Sequence, residues 1–369
     1  MTAQYTYLAT NLVSGTILGE LPVNNVSLDS QLNSAGHMSA GMRMDDPRVD
    51  NVELLARTTP GKTAFWAYRE NQIVWGGIML TREYQSSGKS LTLTGQTFEC
   101  YASKRFPRSV IGTAVQNLSM GQCAMIDYLW QQLQSIPHGT IGVVPANVPM
   151  VDPTTTLSIN GWDLSTSYSD LINRVTTLNA GPDWTIVWNQ DGSGNPYAQL
   201  VVGAPIGNPV GATDLVVDYP GPIANYVYTE NASSGNNQWW SSGDGTGTTQ
   251  LTGLATDSNS LSSGYPLYEG VNSYSGVTNQ VTADAHASAD LKNYPMALIT
   301  HAVQLKGDVF PQFGSYGLGD YVVCNVTDPR FSTGSVFKVR AVGWSVQPPD
   351  EGQGTEKVQL VFDEATGGG

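Results

Sequence analysis

A mainly β chain with a small α+β insertion is what this sequence predicts, on three observations. The 369 residues include 40 Gly and 17 Tyr but only 13% charged side chains, a composition of strands, tight turns and polar uncharged loops. Apolar residues alternate with a period of two near both ends, whereas helical spacing is confined to the middle and to one alanine-rich segment. A hydrophobic content of 40% excludes a disordered chain, and the length suits two or three domains.

The first predicted domain covers 1–108. Tyr5, Tyr7 and Ala9, then Val26 and Leu28, then Met38, Ala40, Met42 and Met44 each alternate along a strand. Ile73–Ile78 and Leu91–Gly95 flank the turn residues Ser86-Ser87-Gly88 as a hairpin, in which Gly76-Gly77 permits a bulge or bend. Short strands separated by Asn, Gly and Pro turns predict a closed or nearly closed antiparallel barrel, with a helical turn at Val52–Ala56.

The middle domain, 109–205, is expected to hold two helices and a hairpin. Ala114, Leu118, Met125, Tyr128, Leu129 and Leu133 predict a helix over 113–136 that stops at Pro137. Leu164, Tyr168, Leu171, Ile172, Val175 and Leu178 predict a second over 165–178, stopped by Asn179-Ala180-Gly181-Pro182. Trp184–Trp188, the turn Asp191–Pro196 and Tyr197–Val202 make a hairpin over 184–202. In 206–369 strands resume at Val216-Val217 and Ile223–Thr229, followed by a long polar loop, 231–264, carrying Trp239 and Trp240. An alanine-rich helix is expected at about 283–291, then strands through Leu298–Leu305, Tyr321–Cys324, Val336–Val346 and Val358–Phe362, and Gly367–Gly369 as a free tail.

The motifs Pro60-Gly61-x-Thr63, Arg69, Ile73-Val74-Trp75-Gly76-Gly77-Ile78 and Leu91-Thr92-Leu93-x-Gly95-x-x-Phe98-x-x-Tyr101 resemble the N-terminal part of minor tail proteins of long-tailed bacteriophages. Tyr7–Thr10, Gly19–Pro22 and Asp46-Pro47-Arg48-Val49 fit the same pattern, as do Leu305–Asp308, Gly264–Glu269, Asp328–Phe331 and Gly343–Val346 further on. The resemblance implies two tail-tube-like antiparallel β-barrels joined by the helix-plus-hairpin domain. It implies a tail-tip, or baseplate, hub of the virion, assembled in the host cytoplasm. Such a hub is a homotrimer that closes the distal end of the tail tube, adapts six-fold to three-fold symmetry and forms part of the channel for genome ejection. The implied partners are the distal tail protein, other tail-tip or fibre proteins and the tape measure protein, with DNA only in passage.

Charge fits either passage of nucleic acid without sticking or acidic loops that merely keep a Gly/Ser-rich surface soluble, and fits binding poorly. Residues 1–111 hold 10 Lys/Arg against 9 Asp/Glu, and 112–369 hold 7 against 22. Between Arg108 and Lys292 Arg174 is the only Lys or Arg, which excludes the middle from neutralising a phosphate backbone. No apolar run reaches bilayer length, and the N-terminus lacks the pattern of a secretion signal, so the chain is expected to fold in a cytoplasm. Cys100, Cys123 and Cys324 are too widely spaced for a disulfide framework or zinc site and read as buried thiols.

Catalysis finds little support. The chain has no Gly-x-Ser-x-Gly, His-Glu-x-x-His, phosphate-loop or dinucleotide motif, so no catalytic residue, metal or cofactor is expected and the chain is read as a non-enzyme. Asp284, His286 and Asp290 share one helix, but a metal needs three or four converging ligands, and a solvated or capping role is expected instead. Trp239 and Trp240 are the candidate contact residues, for a receptor, a sugar or a neighbouring subunit, with anchoring of a long hairpin tip as the competing reading. Three readings stand in order: tail-tip hub, receptor- or carbohydrate-binding tail protein with host-surface contact, and wall-degrading hydrolase.

Overall fold

The computed structural model describes residues 3–47, 50–146, 148, 152–178, 180–207, 215–296, 298–307, 309–350 and 354–364. The expected glycine tail, and Arg48, Val49 and Asp308 of the motifs, lie outside the described residues. The chain begins with β1 (Tyr5–Asn11), β2 (Ile17–Glu20), β3 (Asn24–Gln31), β4 (His37–Arg43), α1 (Asn51–Arg57), β5 (Thr63–Arg69), β6 (Gln72–Gln85) and β7 (Ser90–Thr97). A 3-10 helix, Phe98–Lys104, leads to α2 (Arg108–Ile111), β8 (Val115–Gly121), α3 (Gln122–Gln134), β9 (Thr154–Asn160), α4 (Tyr168–Thr176), β10 (Asp183–Gln190) and β11 (Pro196–Gly203). The remainder is β12 (Leu215–Tyr219), β13 (Ile223–Asn231), β14 (Gln238–Ser242), β15 (Thr252–Thr256), α5 (Ser258–Ser262), β16 (Glu269–Ser273), α6 (Gln280–Asn293), β17 (Leu298–Lys306), β18 (Tyr321–Val326), β19 (Ser335–Gln347) and β20 (Lys357–Glu364).

The strands of both ends enter one 13-stranded sheet, in the order β13-β17-β20-β19-β3-β4-β7-β6-β5-β1-β2, with β18 paired to β19 and β12. The closed barrels expected at each end are therefore not formed by the strand ladders of the described residues. The cause lies in β3. Its free edge pairs with β19, Trp344 opposite Ser30 and Val346 opposite Leu28, rather than returning to the four-residue β2. Compactness accordingly gives one unit from Met1–Val175, Pro182–Tyr226 and Ala302–Gly369, and a second from Thr176–Gly181 and Val227–His301, a partition different from 1–108, 109–205 and 206–369.

In the larger unit β5 explains why the signature strand is apolar without interruption. Phe65 and Ala67 face one core, shared with Trp75, Val346 and Phe362, while Ala64 and Trp66 face another, shared with Phe98, Trp130 and Ile186. A strand buried on both faces has no polar side to alternate with. The rings of Trp75, Trp188, Trp344 and Phe313 run in sequence at 6.4, 6.3 and 4.8 Å, so the tryptophans of the two end motifs meet through the middle hairpin. Gly76 and Gly77 act by space rather than by bending. A Cβ on Gly76 would stand 2.6 Å from the Trp66 ring, and one on Gly77 2.3 Å from the Gln96 carbonyl oxygen, while the extra residues of the ladders are Val74 and Leu80.

The helix predicted over 113–136 is a correction. Val115–Gly121 is β8, paired antiparallel to β9 with Leu118 opposite Leu157, and the helix starts only at Gln122. Val115-Gln116-Asn117-Leu118-Ser119-Met120 fits both the period of a strand and that of a helix, and the available partner strand decides between them. Asp152 caps α3 by accepting from the backbone N–H groups of Cys123 and Ala124. Behind α3, the Trp130 ring meets that of Trp184 at 5.8 Å and joins the helix to the β10–β11 hairpin. The long loop expected over 231–264 is a second correction, since it contains β14, β15 and α5. Its Asn, Ser and Gly residues hide strands whose outer face is mixed polar and apolar and whose inner face meets a small-residue helix.

Glu99 is buried between these layers. Its Oε1 accepts from the Ile186 N–H at 2.8 Å and the Thr185 hydroxyl at 3.3 Å, while Oε2 is buried without a partner. Burial pushes its carboxyl above the usual range. The folded state therefore holds a proton that the unfolded chain releases, and this stabilising contribution is full below the unfolded value of about 4.3 and lost as pH rises through the raised folded value. Glu99→Gln keeps the acceptor and removes the charge. Relative to the parent, the variant is expected to gain stability at pH 8 and little at pH 4, measured as urea midpoints; equal differences at both pH values would contradict this.

Candidate contact surface

The smaller unit carries both candidate tryptophans on a three-stranded sheet, with β14 central, β15 antiparallel on one side and β16 parallel on the other. They lie in strand β14, not in a loop, and adjacent residues in a strand point to opposite faces. Trp239 points inward. It is buried, its Nε1 donates to the Tyr294 carbonyl at 3.3 Å, and its ring lies 5.5 Å from that of Tyr294. Trp240 points outward and is half-buried, its Nε1 donating to Glu269 Oε1 at 3.2 Å.

Helix α6 covers the inner face because both surfaces are small there. A Cβ on Gly253 would stand 2.4 Å from the Ala283 backbone, and Ala283 and Ala287 are fully buried. Ser241 ties the layers by donating to the Ala283 carbonyl at 2.6 Å while accepting from the Gly253 N–H at 3.2 Å. Asn237, unremarked in the sequence, is fully buried at the head of β14, where it donates to the Pro266 carbonyl and accepts from the Tyr268 N–H, both at 2.8 Å. Its neighbours in an Asn/Ser tract look alike, so only burial distinguishes it.

The outer face is ordered into three ranks by strand register. Thr256, Gln238 and Glu269 form the first; Leu254, Trp240 and Val271 the second; Thr252, Ser242 and Ser273 the third. In the first, Gln238 Nε2 donates to Glu269 Oε1 at 3.1 Å and Thr256 donates to Gln238 Oε1 at 3.4 Å. The second leaves Leu254 44% and Val271 65% exposed on either side of the indole. In the third, Ser242 accepts from Gln250 Nε2 at 2.6 Å.

The group Asp284, His286 and Asp290 does not converge. Asp290 is buried and accepts from the Tyr274 hydroxyl at 2.7 Å and from Asn272 Nδ2 at 2.9 Å. His286 stacks on the Tyr274 ring at 3.9 Å, and burial pulls its imidazole below the usual value. Asp284 accepts from Gln280 on the helix surface. Among the described residues no group of three or more His, Cys, Asp or Glu is placed to hold a metal ion, and no helix is long and apolar enough to cross a membrane. In the larger unit a cavity of about 230 Å³ lies against Trp188, Phe313, Tyr316 and Trp344. Its lining has no carboxylate, lysine, arginine or histidine.

The arrangement as a whole, with both chain ends in one large antiparallel-rich sheet and a helix-plus-hairpin region packed behind it, is the fold of phage tail proteins, in agreement with the motif resemblance. The 43 kDa tail protein of prophage MuSo2 from Shewanella oneidensis shares it with a TM-score of 0.60 at 10% identity, over 97% of this chain and 98% of that one. A tail protein from Neisseria meningitidis MC58 gives 0.59 at 12% identity, over 98% and 96%. A chain of the Francisella PdpA-VgrG complex gives 0.55 at 6% identity, over 99% of this chain and 59% of that one. No family model matches the chain, and no curated protein matches it in sequence.

Proposed function

We propose that this chain is a structural hub at the tail tip of a long-tailed phage particle. The observation that carries the proposal is a fold shared with a prophage tail protein over 97% of this chain and 98% of the other. In this reading each subunit brings two tail-tube-related halves, one from the strands around β5 and β6 and one from those around β19 and β20. Three subunits in a ring then present six such halves, matching a six-fold tube above to a three-fold tip below. The unlike halves give heterologous contacts that close after three copies. The distal tail protein, tail-tip or fibre proteins and the tape measure protein are its neighbours. The excess of carboxylates beyond residue 111, 22 against 7 Lys/Arg, supports a channel wall that DNA passes without sticking.

The expected result is three copies around a central opening in a reconstruction of the assembled tail tip, and a trimer by native mass spectrometry. A monomer in the particle, or a six-fold ring with one copy per repeat, overturns the proposal. A second reading, a receptor- or carbohydrate-binding tail protein, is favoured by one observation: the outward placement of Trp240 between exposed Leu254 and Val271.

A further inference from the structure

We propose that the outer face of the β15-β14-β16 sheet is a platform for a neutral saccharide. This rests on the second reading above and is independent of the trimeric hub. A hexose has a face of C–H bonds that stacks on an aromatic ring, and a rim of hydroxyls that both donate and accept hydrogen bonds. The sheet offers the complement in register. Trp240 supplies the stacking surface, Leu254 and Val271 its apolar shoulders, and ranks of amide, carboxylate and hydroxyl groups lie on both sides along the strands.

The platform is held in place before any ligand arrives. Glu269 Oε1 accepts from both Gln238 Nε2 and Trp240 Nε1, at 3.1 and 3.2 Å, which fixes the indole across the sheet. Groups held by strands and by one another lose little freedom on binding.

Size separates a saccharide from a protein partner. Strands are about 4.8 Å apart and alternate residues about 6.8 Å, so the three ranks cover roughly 10 by 14 Å. That is the footprint of two or three sugar rings and a small fraction of the ~800 Å² that a stable protein contact buries on each partner. Charge selects among saccharides. Residues 227–301 contain Glu230, Asp244, Asp257, Glu269, Asp284 and Asp290 against the single Lys292, a field that repels anionic glycans and leaves neutral ones unaffected.

The test titrates the purified full chain with maltohexaose, cellohexaose, hexa-N-acetylchitohexaose and dextran, followed by tryptophan fluorescence and calorimetry, with dextran sulfate as the anionic counterpart. At least one neutral probe is expected to bind with a millimolar or tighter Kd, and dextran sulfate more weakly than dextran. Trp240→Ala is expected to weaken binding about ten-fold or more, Trp240→Phe to retain most of it, and Glu269→Gln to weaken it about three- to ten-fold. Far-UV circular dichroism and native mass of each variant establish that fold and assembly are unchanged. Absence of binding by all four neutral probes, or binding that survives Trp240→Ala, overturns the proposal, as does a preference for dextran sulfate. A monomer that still binds through Trp240 would sink the hub reading and leave this one standing.

Discussion

Arg69→Ala is expected to lower the unfolding free energy by about 3–5 kcal/mol, the usual consequence of stranding one charge of a buried ion pair. Arg69 Nε donates to Glu356 at 3.0 Å to Oε2 and 3.2 Å to Oε1, and both side chains are shielded, at 10% and 3% exposure. Tyr5 donates its hydroxyl to the same carboxylate at 3.2 Å. Tyr5 and Arg69 sit opposite each other on β1 and β5, so the pair ties the start of the chain to the segment entering β20. Burial pushes the Glu356 carboxyl above the usual range despite the guanidinium beside it, so desolvation outweighs the attraction. Replacing both partners, Arg69→Met with Glu356→Leu, is therefore expected to recover most of the loss. Guanidinium unfolding at pH 7 of the parent, the single variant and the double variant checks this. A double variant as unstable as the single one would show that the site depends on the charges themselves.

Trp75→Ala is expected to cost about 3–5 kcal/mol, comparable to the loss of the ion pair. The indole is fully buried, and its Nε1 donates to the Asp29 carbonyl at 2.8 Å. The ring packs on Phe65 at 6.0 Å and on Trp188 at 6.4 Å. Truncation leaves a cavity and a partly buried carbonyl without its indole donor. Trp75→Phe fills most of the volume and loses only the hydrogen bond, so a much smaller loss is expected. Chemical denaturation of both variants measures the difference. Near-neutral behaviour of Trp75→Ala would mean that the Ile73–Ile78 motif serves contacts outside the subunit rather than its core.

Strands of the first and middle predicted domains were legible because each carries its own period. Tyr5–Asn11, His37–Arg43 and Asp183–Gln190 alternate or run apolar as their burial requires. The segment before α3 was not legible, because six residues fit two periods and β9 settled the matter from forty residues away. Trp239 and Trp240 were legible as a pair but not as opposites. That distinction needed only the knowledge that they lie in a strand, which their Asn- and Ser-rich surroundings concealed. The buried Asp290, legible as a helix residue, gains its partners Asn272 and Tyr274 from β16 and the chain beyond it.

By itself the sequence determined the β-rich class, the helix-plus-hairpin middle, the acidic field after residue 111 and the likeness to tail proteins. The first three rest on composition and on backbone preferences that act over a few residues, and the likeness rests on the motifs between Pro60 and Tyr101 and between Leu305 and Val346. Only the tertiary structure decided that β3 joins β19, that both ends share one sheet instead of closing separately, that Arg69 meets Glu356, and that Trp240 alone faces outward. The physical reason is that loop-closure entropy grows only logarithmically with separation. A partner strand three hundred residues away costs only about 2 kcal/mol more than one thirty residues away, which edge and core complementarity can outweigh, and no local pattern encodes that complementarity.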